Sequence, residues 1–160
     1  MKSIVKDLLV YSAIIIGVIL LRTFIITPVR VNGDSMKNYL INGDILLLYK
    51  LGDIKRNDII VIDYEKGQDE IVKRVIGLPN ESIRIKNNRI YINDKEIENS
   101  YAYGETSDYD EITLGEDEYF VLGDNRLISK DSRIIGPVKR SKIKGKTIFR
   151  IFPFTKIGKI

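Results

Sequence analysis

Between Leu8 and Ile26 the chain reads LLVYSAIIIGVILLRTFII, 19 positions with a single charge, Arg22, near the distal end. As a helix rising ~1.5 Å per residue this run is about 28 Å long, roughly one hydrocarbon core. Three readings fit such a run. A cleavable signal peptide needs a shorter core and a small-residue cleavage site, whereas the run is followed by Thr27-Pro28-Val29-Arg30-Val31. A buried core helix rarely stays apolar for so long in a chain of 160 residues. An uncleaved membrane anchor is the expected reading, with Arg22 snorkelling toward the headgroups. Lys2 and Lys6 place positive charge ahead of the run, which favours an inside N-terminus. Arg30 and Lys37 on the other flank weaken that argument.

The expected organisation is a cytoplasmic segment over residues 1–7, an anchor over 8–27 ended by Pro28, and an extracytoplasmic all-β domain over 28–160. Asp44–Tyr49, Asp58–Tyr64 and Ile71–Leu78 are short apolar or β-branched runs bounded by Gly, Asn and Pro. Ser82–Lys86 and Arg89–Ile92 alternate cleanly around Asn87-Asn88, residues that tolerate the positive φ of a two-residue hairpin. Asn93-Asp94 marks the next turn, so residues 80–117 read as a small β-meander followed, from 98 onward, by a long polar surface loop. Strands resume at Tyr119–Leu122 and Thr147–Ile151. The apolar stretch Ile148–Phe154 is expected to be a strand ending at Pro153, with a second membrane contact as the alternative. The fold class is mainly β, one transmembrane helix followed by an antiparallel β domain.

Composition limits the chemistry more sharply than the fold. The net charge is +4, with the basic residues dispersed along the chain, so no nucleic-acid partner is expected. There is no Cys, which removes disulfides, thiol nucleophiles and zinc–thiolate sites. There is also no His, the commonest general base. If Ser35, in Gly33-Asp34-Ser35-Met36, is a nucleophile, its proton must go to a carboxylate, a lysine or a tyrosine. A carboxylate is a weak base for a hydroxyl. A lysine amine is strong enough, but only in a site that disfavours the ammonium. Lys73 lies in the apolar run Ile71-Val72-Lys73-Arg74-Val75-Ile76. Strand alternation puts Lys73 with Ile71 and Val75, and Arg74 with Val72 and Ile76. Periodicity does not say which face is buried.

Gly33-Asp34-Ser35-Met36, Gly43-Asp44, Lys73-Arg74-Val75-Ile76-Gly77-Leu78-Pro79, and Gly123-Asp124-Asn125-Arg126 followed by Ser129-Lys130-Asp131-Ser132-Arg133 and Gly136 occur in this order behind the anchor. Together they resemble the bacterial type I signal peptidases, serine–lysine enzymes that remove signal peptides from exported proteins. The resemblance covers nearly the whole chain. It implies a catalytic domain of the signal-peptidase type on the extracytoplasmic side of the cell membrane, acting on the signal peptides of secretory preproteins. Ser35 would be the nucleophile and neutral Lys73 the general base, with Ser129 orienting the lysine amine. Met36, Leu40 and Val72 would line the shallow apolar substrate pockets. Asp124, Arg126, Asp131 and Arg133 would brace the strands around the site. The reading requires no metal and no cofactor, and it leaves the oligomeric state undefined.

The backbone N–H of Ser35 is the natural first oxyanion donor. Some family members supply a serine hydroxyl two positions earlier, where this chain has Gly33. The family motif usually continues Ser-Met-x-Pro-Thr-Leu, against Ser35-Met36-Lys37-Asn38-Tyr39-Leu40 here. Two other functions compete. One is a serine–lysine protease of the LexA-like self-cleaving type. The other is a catalytically idle, membrane-tethered β domain that binds or chaperones surface proteins.

Overall fold

The structure is a computed structural model that describes residues 2–64 and 70–160. Met1, within the expected cytoplasmic segment, the side chain of Lys2, within its positive flank, and residues 65–69 lie outside the described residues. Helix α1 spans Lys2–Phe24. Its apolar part, Ile4–Phe24, is 21 residues long with its side chains exposed, and it is long and apolar enough to cross a membrane.

The helix ends earlier than the sequence suggests, and Pro28 is not what stops it. The Thr27 hydroxyl donates to the Arg22 carbonyl at 2.8 Å and the Lys50 ammonium to the Thr23 carbonyl at 2.8 Å. Two carbonyls at the helix end are thereby satisfied by side chains from beyond it. The chain turns at Ile25 and enters strand β1, Ile26–Arg30, which contains Pro28. This position suits a proline because β1 is an edge strand, paired on one side only.

Strand β2 is Ile45–Tyr49, β3 Ile59–Ile62 and β4 Ile71–Gly77. The meander follows as β5, Ser82–Lys86, β6, Arg89–Ile92, and β7, Lys95–Ile97. Its turns are as expected: Asn87 and Asn88 have φ of 51° and 64°, Asn93 and Asp94 49° and 64°. Within the stretch expected to be a surface loop, Tyr109–Thr113 forms a further strand, β8, paired with β5. A register shift between Ile83 and Ile85 inserts an extra residue, so Tyr109 and Ile112 both reach the meander's core. That bulge breaks the period-2 pattern, which is why the strand is not legible from alternation. The chain then forms β9, Glu118–Leu122, a single helical turn α2, Ser132–Ile135, and β10, Val138–Lys139. It closes with the long β11, Ile143–Phe152, and β12, Gly158–Lys159.

Two antiparallel sheets result. The larger has the order β1-β2-β11-β3-β4-β9-β10, with β12 added to β11, and the smaller β7-β6-β5-β8. Three apolar clusters fill them. In β3, Ile59 and Val61 enter the first while Ile60 and Ile62 enter the second, so this central strand is buried on both faces. In β4, Val72 joins the first cluster, Val75 the second and Ile76 the third, which belongs to the meander. The seven residues of β4 thus sit where all three cores meet. The C-terminal apolar stretch is the end of β11, running to Phe152 before Pro153. Its residues 148–151 are half-buried rather than core, and Phe152 and Phe154 are exposed.

Candidate active site

Strand β4 answers the question left open by periodicity: both of its faces are covered. Lys73 and Arg74 are each 3% exposed. Lys73 stands opposite Ile60, itself fully buried, in the β3–β4 register. Its stem therefore crosses an apolar layer before the amine reaches a polar atom.

That atom is the Ser35 hydroxyl. Lys73 Nζ and Ser35 Oγ lie 2.7 Å apart, across 38 residues of sequence. A charged lysine donates along this contact; a neutral one accepts the hydroxyl proton. Burial pushes the Lys73 amine down from its ordinary value of 10.5 to about 8, against the opposing charges of Asp131 and Asp124. Both carboxylates are already engaged. Arg74 donates to Asp124 through Nε at 2.8 Å and Nη2 at 2.6 Å. Arg133 donates to Asp131 through Nε and Nη2, both at 2.9 Å. Each arginine offsets a charge that would otherwise favour the ammonium.

Ser35 sits half-buried in a tight turn after Gly33, whose φ of +86° suits a residue without a Cβ. Lys37 N donates to the Asp34 carbonyl and Leu40 N to the Met36 carbonyl, closing the turn on itself. The Gly43-Asp44 box ties it back to the sheet. Gly43 N donates to the Val31 carbonyl, Val31 N to the Asp44 carbonyl, and Ile41 N to Asp44 Oδ2.

Asn125, a residue to which the sequence reading gave no role, anchors the turn from across the site. Its backbone N–H donates to the Ser35 carbonyl at 2.9 Å and its side-chain amide to the Asp34 carbonyl at 3.2 Å. Its place in the Gly-Asp-Asn-Arg box was the available signal. Gly123 is the second omission. A Cβ there would lie 2.1 Å from Ser129 Oγ and 2.6 Å from the Ser35 carbonyl oxygen, so only glycine lets these segments meet.

The other expected site residues fall into three groups. Arg126, Asp131 and Arg133 form one network, while the Asp124 carboxylate is held by Arg74. Arg126 donates to the Gly123 carbonyl and Thr106 Oγ1, Arg133 to the Arg126 carbonyl, and Gly123 N to Asp131 Oδ2. Met36 and Leu40, 1% and 0% exposed, and Val72, 6% exposed, belong to the first apolar cluster with Val31, Leu46, Leu48, Ile59 and Val61. They lie beneath the turn as core. Ser129 is buried against Gly123, but its hydroxyl makes no hydrogen bond among the described residues, so the expected contact with the Lys73 amine is not formed here. The amine is turned to Ser35 instead.

A groove of about 740 Å³ runs along β1, lined among others by Val29, Arg30, Asn32 and, at the entrance to β4, Glu70. Among the described residues no cluster of three or more Asp and Glu has a metal-binding arrangement.

Comparisons with known proteins converge on one family. The family model described as signal peptidase, peptidase S26, matches residues 2–152. The signal peptidase I of Streptococcus pneumoniae (serotype 4, strain ATCC BAA-334 / TIGR4) is 34% identical, the alignment covering 98% of this chain and 97% of that protein. The signal peptidase I of Bacillus licheniformis is 37% identical over 92% of this chain and 90% of its own length. A crystal structure of a signal peptidase I from Enterococcus faecalis V583 superposes with a TM-score of 0.54 at 31% identity, covering 60% of this chain and 97% of that one. By sequence along nearly its full length and by fold, this chain belongs to the signal peptidase (peptidase S26) family.

Proposed function

We propose that the chain is a membrane-anchored endopeptidase that removes N-terminal signal peptides from exported preproteins, with Ser35 as nucleophile and Lys73 as general base. The single observation behind this reading is the buried Lys73 amine 2.7 Å from Ser35 Oγ. In the acylation step Ser35 Oγ attacks the scissile carbonyl carbon while its proton passes to neutral Lys73 Nζ. The resulting ammonium returns a proton to the leaving amine, and an acyl ester on Ser35 remains. Lys73, neutral again, then deprotonates the water that releases the signal peptide.

Lys73 is suited to both steps because burial destabilises its ammonium before any substrate arrives. The Ser35 backbone N–H is the first oxyanion donor in this scheme. Ser129 is the residue that orients the lysine amine in this scheme: its buried hydroxyl has no partner among the described residues and is free to take the amine when Lys73 turns from Ser35. The substrate lies extended against the unpaired edge of β1, along the groove whose lining includes Asn32, three residues before Ser35. Met36, Leu40 and Val72, buried beneath the nucleophile turn, back the expected substrate pockets from the core side. Helix α1 spans the bilayer with its N-terminus in the cytoplasm, holding the dyad at the outer surface where cleavage sites emerge.

The test is cleavage of a preprotein by the detergent-solubilised chain beside its Ser35→Ala and Lys73→Ala variants. Processing by the parent protein alone supports the reading; no processing by any of the three favours an idle binding domain.

A further inference from the structure

The face of β4 opposite Lys73 carries Arg74, whose pairing with Asp124 bears on the Lys73 amine but whose contacts with two aromatic rings the dyad chemistry does not use. Arg74 is buried and all its approaches are occupied. In its plane, Nε and Nη2 grip Asp124 and Nη1 donates to the Asn57 carbonyl at 3.0 Å. The guanidinium carbon also lies 3.8 Å from the centroid of the Tyr101 ring and 4.9 Å from that of Tyr39. The two rings meet edge to face, with centroids 6.2 Å apart. Tyr39 lies four residues beyond Ser35 in the nucleophile turn. Tyr101 belongs to the polar loop, which is laid beside the Asp124–Arg126 segment by Tyr103 N donating to the Asp124 carbonyl and Arg126 N to the Tyr103 carbonyl.

We propose that Tyr39 and Tyr101 are positioning residues: they clamp the Arg74 guanidinium and so hold the nucleophile turn in register with the strand that carries Lys73. The inference rests on the serine–lysine reading above. The turn has its own internal hydrogen bonds, but these fix its shape rather than its place. Its placement comes from Met36 and Leu40 in the core, the Gly43-Asp44 box, Asn125 on the Ser35 and Asp34 carbonyls, Arg150 Nη2 on the Tyr39 carbonyl at 2.6 Å, and the Tyr39 ring on Arg74. Among these, the ring is the contact made directly to the neighbour of Lys73. Both tyrosines are well exposed, 38% and 40%, so their contribution to the core is small. What they supply is the π face that an arginine attracts. A shift of a few tenths of an ångström in the turn lengthens the Ser35–Lys73 contact and slows proton transfer, without touching the groove along β1.

The experiment measures kcat and KM separately for a signal-peptide-bearing peptide substrate, using the detergent-solubilised full chain and its Tyr39→Leu, Tyr101→Leu and Tyr39→Phe variants, with thermal melting recorded for each. We expect the leucine variants to lose about three- to thirtyfold in kcat at nearly constant KM and melting temperature, and the phenylalanine variant, which keeps the ring face, to stay within about twofold of the parent. An unchanged kcat in both leucine variants overturns the inference. So does a raised KM with unchanged kcat, which would make the rings substrate contacts, or a phenylalanine variant as slow as leucine. A loss of kcat that merely follows a fall in melting temperature overturns it as well. If the parent chain cleaves nothing, the serine–lysine reading fails and takes this inference with it.

Discussion

At the scale of single residues, the proposed chemistry depends on keeping the Lys73 amine uncharged. Its pKa of about 8 lies below the 10.5 of an exposed lysine, so between these values the unfolded chain binds a proton that the folded chain does not. Stability from this group therefore rises with pH across that window, and at neutral pH burying Lys73 costs the fold. Lys73→Met is expected to abolish cleavage yet raise stability by about 1–3 kcal/mol at pH 7, seen as a higher melting temperature. A destabilised variant would contradict the account of a strained, buried amine. In the proposed mechanism catalysis needs the neutral form, so activity should fall about tenfold per pH unit once below about pH 8. A profile flat to pH 5 would remove lysine as the base. Arg133 offsets Asp131, the larger of the two charges that favour the ammonium. Arg133→Gln should move the acid limb of kcat/KM upward by about half to one pH unit.

Among the structural elements, β4 and the segment after β9 matter most, because the dyad and its supports come from places far apart in sequence. Gly123 is where the segment after β9 presses against the Ser35 turn. Gly123→Ala would drive a methyl group into Ser129 and into the Ser35 carbonyl. The predicted result is a loss of kcat of about a hundredfold or more, since displacing the turn separates Oγ from Nζ. Chemical denaturation would report whether the fold survives, as it should if the strain stays local. The meander is a separate matter. β8 completes its sheet, and Ile112 packs against the third cluster, so Ile112→Asp should destabilise that sheet by about 2–4 kcal/mol.

For the whole molecule, the helix and the β domain are joined at few points, chiefly the Lys50 and Thr27 hydrogen bonds to the helix end. None of the three apolar clusters includes a residue of α1. A chain starting after Phe24 should therefore fold and cleave a short soluble peptide with nearly the parent kcat. If α1 is the proposed anchor, it should process a membrane-inserted preprotein in vesicles far more slowly, by about one to three orders of magnitude, because a lost tether no longer concentrates enzyme and substrate on one surface. Equal rates on both substrates would argue that the helix has no part in substrate encounter.

Much of this protein is legible without coordinates. An apolar run of this length needs no tertiary partner to be a helix, and Asn87-Asn88 and Asn93-Asp94 set their turns through local dihedral preference. The absence of His and Cys leaves carboxylate, amine and hydroxyl groups for any acid–base or nucleophilic chemistry. The order of the boxes then marks Ser35 and Lys73. Tertiary structure decided the rest. Alternation shows which side chains share a face of β4 but not what covers each face, so the burial of both Lys73 and Arg74 could not be read from it. The bulged β8, the helix end set by Lys50 and Thr27, the hold of Asn125 on Ser35 and the two rings on Arg74 all bring together residues that no local pattern connects. The lowered basicity of Lys73 is of the same kind, because desolvation is a property of everything packed around a charge and not of the residues beside it in the chain.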